Sequence, residues 1–180
     1  GWADMRAAYE ELDAETKDRI SNLTAYHSLY YSQGRSGNLP DKQNDDGTYN
    51  LYGYHDMDVS LRPLVKVHPV TGQPNLLIGR HAHDIVGMER EESVKLLDDL
   101  NDWACQPPRT YHHQWTVGDA VVWDNRRLQH RGTPFDMREP RRMWHTRIAG
   151  ESSSELAINH QTDAIPSDDV ERHPTGTWAC

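Results

Sequence analysis

Met5, Ala8, Tyr9 and Leu12 recur at helical spacing and predict a helix over residues 3–12. Asp13 can cap a second helix carrying Ile20, Leu23 and Tyr26 or His27. The period is lost at residues 33–50, QGRSGNLPDKQNDDGTYN, where Gly, Asn and Asp offer too little apolar surface to offset the entropy of ordering; a loop is expected. In LVKVHPVTGQPNLLIG, two β-type runs flank Pro69-Val70-Thr71-Gly72 and predict a hairpin. Val94, Leu97, Leu100 and Trp103 or Ala104 then form the apolar stripe of a helix over residues 91–104, ended by Gln106-Pro107-Pro108. Beyond it the period changes to two. Residues 111–116 alternate, Val117-Gly118-Asp119 turns, 120–124 is an apolar strand, and 141–149 is another. Residues 151–180 are polar and without period, which predicts a loosely attached or disordered tail.

Composition narrows the class. A chain of 180 residues can bury one core, and no internal repeat divides it. The formal net charge of -9, with no basic stripe, argues against a nucleic-acid partner, which needs a clustered cationic surface. No apolar run approaches the roughly 18 residues that a membrane helix needs. No signal peptide is evident at Gly1-Trp2, so no membrane partner and a cytoplasmic location are expected. The 2 cysteines, Cys105 and the terminal Cys180, support neither a disulfide framework nor a zinc-cysteine site. The 11 histidines raise the prior for metal or proton chemistry. The chain opens directly into a helical pattern without an initiator methionine, and the expectation is a fragment of a longer protein.

The decisive segment is Val122-Trp123-Asp124-Asn125-Arg126-Arg127-Leu128-Gln129-His130, with Arg141 standing 11 residues after the histidine. A non-haem iron that must also bind a chelating oxo-acid and O2 uses two histidines and a carboxylate on one face. The far carboxylate of the oxo-acid calls for a permanently charged, two-pronged donor, which a guanidinium supplies and an ammonium does not. Alternation along residues 141–148 puts Arg141, Met143, His145 and Arg147 on one face and Arg142, Trp144, Thr146 and Ile148 on the other, leaving Arg141 or Arg142 for that role. The pattern resembles the taurine dioxygenase and 2,4-dichlorophenoxyacetate dioxygenase family, and alignment without gaps selects Arg141. Three more stretches agree in order: Ala3 to Tyr9; His68-Pro69-Val70-Thr71-Gly72 with Leu76 to Gly79; and Arg80 to Met88. The resemblance spans residues 2–150.

This resemblance implies a mainly β fold with flanking helices, a double-stranded β-helix (jelly roll) incomplete at its N-terminal side. Residues 1–150 would be the C-terminal part of one dioxygenase domain, with 33–60 as a lid that excludes water. It implies an Fe(II)- and 2-oxoglutarate-dependent oxygenase that hydroxylates a small-molecule substrate with O2, while 2-oxoglutarate loses CO2 to become succinate. A homo-oligomer is left open. His130 is then the distal iron ligand, Arg141 clamps 2-oxoglutarate, Trp123 packs beside the metal, and His145 with Arg147 faces the substrate.

Two departures stand out. His145 occupies a place where the relatives carry arginine, so weak turnover of taurine and phenoxyacetates is expected at neutral pH. The family's His-x-Asp or His-x-Glu pair is missing. His55 with Asp58 would face opposite sides of a strand, whereas His81 and His83 share a face and leave a three-histidine site with His130 as an alternative. The competing classes are a truncated, inactive relative acting as a scaffold and a module that binds without chemistry. Packing is the expected role of at least one of His112 and His113, no chemistry is assigned to His68, and Asp98, Asp99 and Asp102 read as the wet face of a helix.

Overall fold

The computed structural model describes residues 1–37, 44–47, 59–136 and 138–160. Strand β1 (Trp2–Asp4) leads into helix α1 (Met5–Glu10), and α2 (Ala14–Ile20) is followed by β2 (Thr24–His27) and α3 (Leu29–Arg35). Next come β3 (Ser60–Pro63), β4 (Val65–Val67), β5 (Pro74–Leu76) and β6 (Ala82–Ile85). The long helix α4 (Arg90–Ala104) precedes β7 (Thr110–Tyr111), β8 (Leu128–His130) and the single turn α5 (Ser152–Glu155). All pairings are antiparallel, in two three-stranded sheets, ordered β7-β1-β8 and β3-β2-β6, and a β4-β5 hairpin.

The expected start of the first helix is corrected by two residues or so. Trp2 to Asp4 are drawn between β7 and β8, and the Asp4 side chain then caps α1 by accepting from the backbone N–H groups of Arg6 and Ala7, both at 3.0 Å. Asp13 caps α2 through Thr16 N–H at 2.8 Å. The second helix ends at Ile20, because residues 24–27 pair on both sides with β3 and β6. Helix α3, capped by Ser28, was not expected. The predicted hairpin forms around residues 69–72. Helix α4 covers the expected span, and Leu97, Leu100 and Ala104 of the expected stripe are buried together with Ser93 and Leu96, while Val94 and Trp103 are not. Ser93 is tolerated there because its hydroxyl accepts from Ile85 N–H at 2.8 Å. The acidic face of α4 is partly paired, Asp98 holding Arg35 through two hydrogen bonds of 2.9 and 3.0 Å.

The core is one cluster under α1, α4 and the sheets, with Ala8, Ile20, Ala25 and Leu64 fully buried. The predicted strands at 120–124 and 141–149 are not seen as strands, and of 111–116 only Tyr111 lies in one. Alternation marks which face a strand would present, but the ladder needs a neighbouring strand. Among the described residues these segments find none, and Val122, Trp144 and Ile148 stand exposed. The tail is corrected in the opposite sense. Residues 152–160 dock on β3: Ile158 N–H donates to Leu61 O at 2.8 Å, the Asn159 side chain bonds Leu61 N–H and Val59 O, and Ala157 is buried. Residues 161–180, and most of the expected lid at 33–60, lie outside the described residues.

His27, on β2, has its Nε2 buried with no hydrogen-bond partner among the described residues. Burial first, then the nearby Arg62, His81 and His83, pushes its pKa down to about 4. The folded chain thus refuses a proton that the unfolded chain accepts near pH 6.5. Stability is therefore full above that pH, declines as pH falls toward 4, and is about 3 kcal/mol lower below it on this account alone. Urea unfolding at pH values of about 7.5 and 4.5 should show this loss, and His27→Gln should remove most of it. An unchanged pH difference in the variant would refute the assignment to His27.

Candidate active site

The Trp-Asp-Asn-Arg segment is a self-supporting turn. Trp123 Nε1–H donates to Asn125 Oδ1 at 2.7 Å, and Asp124 accepts from Arg126 N–H at 2.8 Å and from the Arg126 guanidinium at 2.7 to 3.1 Å. The Arg126 contact, followed by that of His68, holds the Asp124 carboxyl far below the usual carboxylate range. Asp124 O accepts from Leu128 N–H at 2.9 Å, so β8 starts directly from this turn. Strand β8 places His130 opposite Trp2, and Trp2 is opposite Tyr111 on its other side.

Trp123 brings the predicted residues together. Its ring centroid is 5.1 Å from His130 and 5.9 Å from His145, the latter nearly parallel at 4°, while Trp2 meets it edge-on at 5.5 Å. Partial burial lowers the His130 pKa, and His145, Arg147, the N-terminal ammonium and His81 add to this in that order. This direction favours the neutral imidazole, the form that can donate a lone pair. Ring contacts therefore bring His130, Trp123 and His145 together, and Arg147 is within electrostatic reach of His130.

Arg141 does not join them. It is exposed, and its guanidinium lies over the Phe135 ring at 5.0 Å. The strand that would aim it inward is not formed here. The three-histidine alternative also fails: His83 stacks on Tyr31 at 4.4 Å and bonds Asp84 at 2.8 Å. Among the described residues no set of three or more His, Cys, Asp or Glu side chains is placed to hold a metal. His55 and Asp58 lie outside those residues. A recess beside His130 is bounded by Gly1, Ala3, Cys105 and Gln129.

Sequence reasoning missed two participants, Trp2 and His68. Trp2 is marked only by its tertiary pairing. His68 carries a faint signal, a histidine immediately before a turn whose N–H groups need an acceptor.

Residues 1–147 match the family described as taurine catabolism dioxygenase TauD, TfdA family. The chain belongs to this family. Among curated relatives, the TauD/TfdA chain is 58% identical over 160 residues to a (S)-phenoxypropionate/alpha-ketoglutarate-dioxygenase of Sphingobium herbicidovorans, covering 89% of this chain and 55% of that protein. It is 53% identical over 156 residues to a protein of the same name from Delftia acidovorans, with 87% and 52% covered. It also resembles the crystal structure of AAD-2 in complex with Mn(II) and N-oxalylglycine, with a TM-score of 0.66, 39% identity, and coverage of 77% of this chain and 52% of that one. The chain spans about half the length of the relatives it matches. The family is enzymatic, its named relatives being alpha-ketoglutarate-dependent dioxygenases. The described residues of this TauD/TfdA chain do not by themselves fit iron, since His130 is the single predicted ligand they supply. Donors beyond these residues are needed.

Proposed function

We propose that the chain is the C-terminal part of an Fe(II)- and 2-oxoglutarate-dependent dioxygenase that hydroxylates a small organic acid. In the overall reaction the substrate C–H gains one oxygen atom of O2, and the other enters succinate as 2-oxoglutarate loses CO2. Residues 1–150 belong to a double-stranded β-helix whose other strands would pair with segments 112–127 and 132–150. The observation that carries this reading is the joint placement of His130, Trp123 and His145 on the signature segment, supported by the relatives' names. The part played by this chain's residues follows from their chemistry. His130 would offer an imidazole lone pair to iron, Trp123 lies beside that imidazole, Arg147 would supply positive charge for a carboxylate, and His145 would face the substrate. Arg141 clamps 2-oxoglutarate once its strand is paired.

Fusing the N-terminal half of the Sphingobium herbicidovorans relative ahead of Gly1 should give 2-oxoglutarate-dependent O2 consumption with Fe(II). A folded fusion that consumes neither would overturn the proposal. Residues 1–180 alone should bind Fe(II) weakly, and micromolar or tighter 1:1 binding by calorimetry would show that they hold a metal site after all. A second reading, a chain that binds without turnover, is motivated by His130 being the single predicted metal ligand among the described residues. An inactive fusion with intact ligand binding would support it.

The relatives' names suggest an aryloxypropionate, and Arg147, on the same predicted strand face as His145, is proposed to hold its carboxylate. In the active fusion, Arg147→Ala should raise KM for (S)-phenoxypropionate roughly tenfold or more, the range for a hydrogen bond to a charged group. His145→Arg should improve turnover of phenoxyacetate and taurine. If Arg147→Ala leaves KM unchanged, another residue holds the anion.

A further inference from the structure

The geometry points to His68 as a positioning residue, a neutral imidazole that ties the β4–β5 hairpin to the Trp-Asp-Asn-Arg turn and thereby holds Trp123 against His130. His68 is only 7% exposed and follows directly on β4. Its Nδ1 accepts from the backbone N–H groups of Val70 and Thr71, both at 3.2 Å. A ring nitrogen that accepts two hydrogen bonds carries no proton, so the ring's proton sits on Nε2. Nε2 lies 3.1 Å from Asp124 Oδ2 and donates to it. The contact is thus a neutral donor on a carboxylate rather than an ion pair. His68 is also the base of the hairpin turn, its N–H donating to Gln73 O and its carbonyl accepting from Gly72 N–H, each at 2.9 Å.

From Asp124 the constraint runs two ways. Its neighbour Trp123 reaches His130 at 5.1 Å and His145 at 5.9 Å, and its carbonyl anchors β8 through Leu128. Both the strand that carries His130 and the indole that covers it depart from the residue His68 grips. Two stretches of the signature, His-Pro-Val-Thr-Gly and Trp-Asp-Asn-Arg, are therefore one unit separated by 56 residues in sequence. The inference rests on the proposed function only in taking His130 as the working end of this relay.

The test uses the intact chain and needs neither iron nor turnover, so its failure is distinct from failure of the dioxygenase reading. Proton–nitrogen correlation spectra of the histidine rings should show His68 protonated on Nε2 and bare on Nδ1 at neutral pH. A proton on Nδ1 would overturn the inference without any variant. His68→Asn places an acceptor near the Nδ1 position, keeping the Val70 and Thr71 amide signals while shifting the Trp123 indole and His130 ring signals. His68→Gln places a donor near Nε2 and should restore the Trp123 and His130 signals toward their original positions. Asp124→Asn should shift the same two signals, and combining it with His68→Asn should add nothing further. Unmoved Trp123 and His130 signals in His68→Asn, or additive shifts in the double variant, would reduce His68 to a residue of the hairpin alone.

Discussion

His130→Ala in the completed domain should abolish 2-oxoglutarate-coupled O2 consumption, with a loss of more than about a hundredfold. That bound is set by comparison: removing even an outer partner of a metal ligand costs about 10–100-fold. The substitution removes the single predicted metal donor among the described residues, at a strand end whose surroundings favour its neutral imidazole. The fold should survive, because the His130 residue is exposed and β8 stays anchored through Leu128 and Asp124. Oxygen-electrode traces and circular dichroism of the same samples check both halves. Wild-type turnover in a correctly folded variant would remove His130 from the mechanism. Trp123→Leu, which stays apolar but loses the flat face and much of the bulk, should reduce turnover without abolishing it.

Leu64→Ala should be the most damaging core substitution, lowering stability by about 2–5 kcal/mol and the melting temperature by roughly 4–20 °C. Leu64 is fully buried at the corner between β3 and β4. Its backbone is pinned from both sides, N–H to Leu23 O at 2.9 Å and carbonyl to Leu77 N–H at 2.7 Å. The surroundings therefore cannot collapse easily into the cavity, which puts the change toward the upper part of that range. Val122→Ala and Ile148→Ala are the contrast, since both side chains are more than nine-tenths exposed. They should change stability of this chain by no more than about 0.5 kcal/mol. In the completed domain, where their segments are proposed to pair as strands, the same two substitutions should become destabilising. Thermal melts of the four proteins, with and without the N-terminal half, read this difference directly.

The amino-acid sequence alone determined the elements that close on themselves. Helix α4, the Asp13 cap and the hairpin around Pro69 to Gly72 satisfy their backbone groups within a few residues, so local spacing and turn chemistry suffice to specify them. It also carried the signature that put His130, Trp123 and His145 forward together, and the family with it. Tertiary structure decided what depends on distant partners. Ala3 with Asp4, and Thr24 to His27, read as helical but became strands, because β7 and β8 in one case, and β3 and β6 in the other, offered ladders to pair with. Residues 120–124 and 141–149 read as strands but are not, since alternation specifies a face and never supplies the neighbour that a ladder requires. Arg141 lies over Phe135 for the same reason, away from His130 while its strand is unpaired. The bond from His68 to Asp124 joins two motifs far apart in sequence, and no period or spacing announces which buried nitrogen will face which carboxylate until the chain has packed.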